Sequence, residues 1–400
     1  TLRNIAFDSP DFLIDLGDTF MTEKWATALD TVNTSSPFNP ATTEAQVIAR
    51  YKYELPYYGL ATHSVPMLMV NGNHEGEAGY IANKTKTSTN APPYTLPLWA
   101  TKARKNYFNN GITSASTFYS GDTGNDPTFD TYYSNDVNIP GFSSVQRAAY
   151  YSWEWGDALF VVLDPYMNST KIPSEDKTKN GVTTPGTSGW YMSLGKAQYD
   201  WLTGVLTNTT AKYKFVFIHN LLGGTPTSGK GTVVPDPAAP GGEMRGGVEA
   251  AKYFEWGGYN SDGTTYGFTS NGFNNHVGWP NKPVHQLLVE KGVTAVFHGH
   301  DHLYVKQDLD GIVYQEVPQP SQKGTTSTYT NSVKAQGGYV SGIAKDNSGH
   351  LRVTVTPSGI TTEYVRSWLP AGTCTVFLSS CEAGTHVNRE IEHSWTVTAP

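Results

Sequence analysis

Five short apolar runs bounded by turn residues stand out along the first three quarters of the chain, at 12–16, 65–70, 158–163, 214–218 and 293–297. Runs of four to six apolar residues with such flanks predict buried strands. Helical spacing appears between several of them. Val47, Tyr51, Leu55 and Tyr58 recur at helix-like intervals within 43–60, and similar patterns fill 197–206 and 284–291. Strand alternating with helix predicts an α/β fold. Past residue 303 the pattern changes: 304–307, 311–317, 338–344, 351–356 and 361–365 read as strands with little helix between them. One α/β domain spanning 1–400 accounts for this, with a motif-bearing part to 302 and a strand-rich part over 303–400. The start of the chain, where Leu2, Ile5 and Ala6 share a helical face, reads as the end of an amphipathic helix.

Four segments rich in Gly, Pro, Ser or Thr (85–97, 121–141, 172–189 and 223–247) predict long surface loops of the kind that shape substrate sites. Charged residues make up 16% of the sequence and the formal net charge is −7. Counterion displacement needs cations, so the chain is no general nucleic-acid binder. An anionic substrate would be held locally, by metal ions or a few arginines. No apolar run reaches the length of a membrane span. The only cysteines, Cys374 and Cys381, are close enough to form a disulfide, worth about 2.5 kcal/mol on the chain-entropy model. Together with sequons at Asn33, Asn83, Asn168 and Asn208, they predict a secreted glycoprotein.

Four motifs follow predicted strands: Gly17-Asp18, Gly72-Asn73-His74-Glu75, His219-Asn220 and Gly299-His300-Asp301-His302. Open α/β sheets bind ligands beyond the carboxyl ends of their strands, so these motifs are expected at one edge. Mixed oxygen and imidazole donors suit zinc, iron or manganese better than calcium or magnesium. In an extended segment His300 and His302 leave the same side, and each could hold one of two neighbouring ions with Asp18 between them. Such a pair clamps a phosphoryl group and acidifies water.

In this order and at these separations the motifs resemble those of the calcineurin-like metallophosphoesterases, a family that includes the purple acid phosphatases. The matched motifs run from residue 17 to 302. The resemblance implies a layered α/β/β/α sandwich, two ions bridged by Asp18, one of them bound by Asn73, His219 and His300 and the other by His302. It also implies that His74 contacts the phosphate and protonates the leaving group, and hence a phosphomonoesterase or phosphodiesterase. Two departures stand beside it. The family's opening D-x-H motif is absent from the chain, which leads us to expect a longer natural polypeptide carrying it N-terminal to Thr1. The metal-binding tyrosine of the purple enzymes is replaced by Met21, so no tyrosinate chromophore is expected with iron.

Other residues carry weaker signals. Arg147 and Arg245 could fork onto a phosphate, and His276 could line the substrate pocket. His285 reads as a surface residue, and His298 as a strand cap or a residue that supports the metal ligands from behind. Glu75 either orients His74 or sits at a helix start. A rival reading is a non-catalytic extracellular binding or matrix protein that keeps a degenerate form of this fold, for which the missing D-x-H is the support.

Overall fold

The computed structural model describes residues 1–23, 40–78, 95–108, 119–121, 148–166, 177–179, 182–184, 193–222, 246–259, 282–320, 339–370 and 386–399. The chain opens with helix α1 (Leu2–Asp8), strand β1 (Leu13–Asp15), helix α2 (Glu44–Thr62), strand β2 (Met67–Met69) and helix α3 (Thr95–Tyr107). Strands β3 (Tyr119–Gly121), β4 (Tyr151–Trp155) and β5 (Ala158–Val162) follow, then a hairpin of β6 (Lys177–Lys179) and β7 (Val182–Thr184). Helix α4 (Gly195–Asn208), strand β8 (Tyr213–Ile218) and the short helices α5 (Val248–Ala251), α6 (Phe254–Gly257) and α7 (Val284–Glu290) lead to β9 (Ala295–His298). The remainder is strand: β10 (Tyr304–Leu309), β11 (Ile312–Glu316), β12 (Ile343–Lys345), β13 (Gly349–Thr356), β14 (Gly359–Arg366) and β15 (Ile391–Thr398).

Eight strands form one mixed sheet in the order β12-β10-β11-β9-β8-β5-β4-β3. Its centre, β11-β9-β8-β5, is parallel, and antiparallel strands flank it on both sides. Period-two alternation explains why the central strands read as continuous apolar runs: both faces are buried. Leu159, Val161, Val216, Ile218 and Val296 meet Val47 and Tyr51 of α2, Leu202 and Leu206 of α4 and Leu287 of α7. The intervening Phe160, Val162, Phe215, Phe217 and Phe297 meet Ile14, Leu68, Ile360, Trp395 and Val397 from the remaining strands. Those strands are the parallel pair β1-β2 and the antiparallel sheet β13-β14-β15. The result is a layered α/β fold with helices on one side of the large sheet and further strands on the other. Stacked rings, Trp153 on Phe160 at 5.0 Å and Phe217 on Phe297 at 5.3 Å, fill the space between sheets.

Helices α2, α4 and α7 lie where the sequence predicts them, and β1, β2, β5, β8 and β9 fall on the five apolar runs. Several elements were not anticipated, the β6–β7 hairpin inside the expected loop 172–189 among them. Helix α3 starts inside the stretch 85–97 because its Pro97 falls in the first turn, where a missing N–H costs nothing. Strand β4 hides behind the polar and exposed residues of its second half, and β15 lies beyond the last strand predicted. Of the described residues in the expected strand 338–344, only 343 and 344 are strand, at the start of β12. The chain's first and last parts are joined: Asp8 of α1 accepts from Arg352 at 2.9 Å and Arg389 at 3.1 Å, and lies 2.8 Å from His350. Among the described residues no helix is long and apolar enough to cross a membrane.

Candidate metal centre

Parallel neighbours β8 and β9 end in register, Ile218 opposite His298, so the residues just beyond them emerge side by side. His219 is fixed first. Its Nδ1 donates to the Leu16 carbonyl at 2.5 Å, which leaves Nε2 as the ligand-facing atom. That Nε2 lies 3.1 Å from Asp18 Oδ2 and 3.2 Å from His300 Nδ1. Asp18, His219 and His300 thus bring three ligand atoms within 4.8 Å of one another. They come from three different loops, following β1, β8 and β9.

Backbone geometry makes this convergence possible. Asp18 and His300 both hold left-handed φ angles, 61° and 81°. Gly17, at φ 93°, passes so close to the next loop that a Cβ would meet Gly72 N at 2.4 Å. Glu75 binds the two loops together. Its Oε1 accepts from the N–H of Thr19 at 2.6 Å and of Phe20 at 3.3 Å, while Oε2 accepts from Asp18 N at 3.0 Å and from Gly72 N. Burial, with Asp18 beside it, pushes the Glu75 carboxyl up to about 7. Asp15 braces the same loop by accepting from Gly17 N at 2.9 Å, Thr19 Oγ1 at 2.8 Å and Tyr58 Oη at 2.6 Å. One turn further, the buried Glu77–Arg104 pair, 2.6 Å apart, fastens this loop to α3.

His74 sits beside the triad, its backbone N–H donating to Asp18 Oδ1 at 3.0 Å. Its ring is held at both ends: Nδ1 lies 2.6 Å from Glu23 Oε2, and Nε2 lies 3.0 Å from the Asn73 amide. Glu23 was missed by the sequence reading. An acid five residues past Asp18 is the only signal for it, and that signal is common by chance.

Burial alone would lower the His219 pKa, but the Asp18 carboxylate overrides it and raises the ring to about 9. Burial likewise works to raise Asp18, and His219 holds it well below the usual carboxylate range. A half-buried carboxylate that retains a proton on a neighbouring imidazole is a site suited to a cation, and the donor set fits zinc, iron or manganese. The sign of the pH effect follows. Stabilisation from His219, whose folded pKa is raised from 6.5, is complete below 6.5 and lost as pH climbs through about 9. The melting temperature of chelator-treated protein should therefore fall between those values. His219→Asn should lack that slope, and metal uptake at neutral pH should release a proton.

The structure does not bring every candidate together. His302, at φ 61°, does not join the triad, and Asn73 faces His74. His298 lies 2.6 Å from Glu316, its neighbour across β11, and not among the triad. His285 is engaged by Tyr314 at 2.6 Å and Asp310 at 3.0 Å, near the β10–β11 turn and away from the candidate centre. Arg147, Arg245, His276, Cys374 and Cys381 lie outside the described residues.

The fold is similar to that of PhoD, with a TM-score of 0.52 and 15% identity over 100% of this chain and 66% of the PhoD chain. This chain therefore spans just under two thirds of that structure. Purple acid phosphatase PPD1 from yellow lupin (Lupinus luteus) seeds gives 0.43 and 10% over 99% of this chain and 49% of its own. GAP50, the anchor in the inner membrane complex of Plasmodium, gives 0.38 and 10% over 100% and 82%. No protein-family model and no curated protein matches the chain. The likeness to PhoD is one of fold: a layered α/β arrangement that covers the whole of this chain.

Proposed function

We propose that the protein hydrolyses phosphate esters with transition-metal ions held by Asp18, His219 and His300, and that Asn73 and His302 complete the ligand set. The observation that carries this reading is the convergence of three ligand atoms, within 4.8 Å, from the carboxyl ends of three strands. A bound zinc, iron or manganese ion supplies Lewis acidity toward a phosphoryl oxygen and lowers the pKa of water. The chain's own residues do the rest. Leu16 fixes the tautomer of His219, and Glu75 fixes the loop that carries Asp18. Glu23 keeps a proton on Nδ1 of His74, so Nε2 is the atom that exchanges a proton with a departing alkoxide. Secretion belongs to the same reading and rests on the disulfide expected between Cys374 and Cys381 and on the sequons.

Metal content measured alongside hydrolysis of an aryl phosphate and its diester tests the proposal. Metal-loaded protein should turn over at least one of them, and chelation should stop it. His74→Ala should lose turnover and keep its metal. Full metal occupancy with no hydrolysis of either ester would leave a binding protein in place of an enzyme.

A further inference from the structure

The sequence His300-Asp301-His302 places a carboxylate between two imidazoles, and its simplest expectation is a third ligand. The structure uses it otherwise. The Asp301 carboxylate does not join the triad of Asp18, His219 and His300. It is buried, and its Oδ2 accepts from the Gly246 N–H at 2.6 Å and from the Tyr339 hydroxyl at 2.7 Å. Its own N–H donates to Glu316 Oε1 at 3.0 Å, on the strand beside β9. Both flanking histidines hold left-handed φ angles, 81° and 61°. L-residues with a Cβ rarely adopt that conformation, and it persists only where surrounding contacts over-determine it. Elsewhere on this loop Gly299 N donates to the His219 carbonyl at 2.7 Å, and Asn347 Nδ2 donates to the His302 carbonyl. Asp301 is held through side chain and backbone at once.

From this we infer that Asp301 is a positioning residue for the candidate metal centre. Gripped from the helix side by Gly246 and from the C-terminal part by Tyr339, it holds the backbone turn that presents His300 to Asp18 and His219. It touches neither metal nor substrate. The inference rests on the reading of His300 as a metal ligand, and makes Tyr339, far away in sequence, part of the same device.

The test is metal affinity, read by competition with a chromophoric zinc chelator on the full chain, with folding checked by melting temperature and circular dichroism. Asp301→Ala should weaken zinc binding by about 10- to 100-fold, the usual cost of removing a partner that orients a ligand. Asp301→Asn, whose amide oxygen can still accept both hydrogen bonds, should recover most of that loss. Tyr339→Phe removes one hydroxyl and should cost about fivefold, the worth of a single hydrogen bond. If Asp301→Ala does not fold, Tyr339→Phe decides. In each variant kcat should return at saturating zinc with KM unchanged, which a general loss of structure would not give. His300→Ala is the control. If His300→Ala loses zinc while Tyr339→Phe and the folded Asp301 variants bind it as the parent does, the positioning role is wrong and the metal centre stands. If His300→Ala itself binds zinc like the parent, the metal-centre reading fails first.

Discussion

Asp18→Asn is expected to abolish stable metal binding and to lower turnover by at least about a thousandfold. Asn is the informative substitution because it tolerates the left-handed φ of 61° at this position and keeps an oxygen to accept the His74 N–H. What it removes is charge. Asp18 is the only carboxylate in the triad, and its charge is the main reason that the partner imidazole retains a proton. Metal assistance is worth several kcal/mol of transition-state charge stabilisation. At roughly 1.4 kcal/mol per tenfold, four of them give about a thousandfold. Metal content after dialysis and kcat on an aryl phosphate are the measurements. A folded Asp18→Asn protein with parental metal and parental kcat would mean that the triad is not the functional centre.

Much of this was legible in the sequence because it depends on local pattern. Strands buried on both faces leave nearly continuous apolar runs, and β5, β8 and β9 lie on such runs. The motifs Gly17-Asp18, Gly72-Asn73-His74-Glu75 and Gly299-His300-Asp301-His302 are contiguous, so their glycines and ligands read together. What could not be read is pairing at a distance. Nothing in the sequence couples Glu75 to the N–H groups of residues 18–20, or Asp301 to Gly246 and Tyr339. These contacts join loops whose separation is set by the sheets. Glu75 shows the limit well. Beside a histidine it looked like an orienting group or a helix-start carboxylate, whereas the partner of His74 is Glu23 and no helix begins at Glu75.

Glu75 also gives the sharpest test of how the candidate centre is built, because two effects on it have opposite signs. Burial beside Asp18 disfavours its charge, and on that ground alone Glu75→Gln would stabilise the fold. Against this stand four backbone N–H groups, two on each oxygen, from Gly72, Asp18, Thr19 and Phe20. A carboxamide has one acceptor oxygen, so its NH2 would face two of those donors. A buried donor without a partner costs about 1–3 kcal/mol. Two such losses amount to about 4 kcal/mol, a large share of the 5–15 kcal/mol that typically holds a domain together. The donors should win. Glu75→Gln and Glu75→Ala are both expected to destabilise by about that amount, with Ala the worse because it orphans all four. Urea unfolding at pH 8 in excess chelator is the measurement, since the carboxyl is ionised there and metal loss cannot enter the comparison. A Glu75→Gln protein as stable as its parent, or more so, would show that the carboxylate is tolerated in the site and does not clamp its two loops.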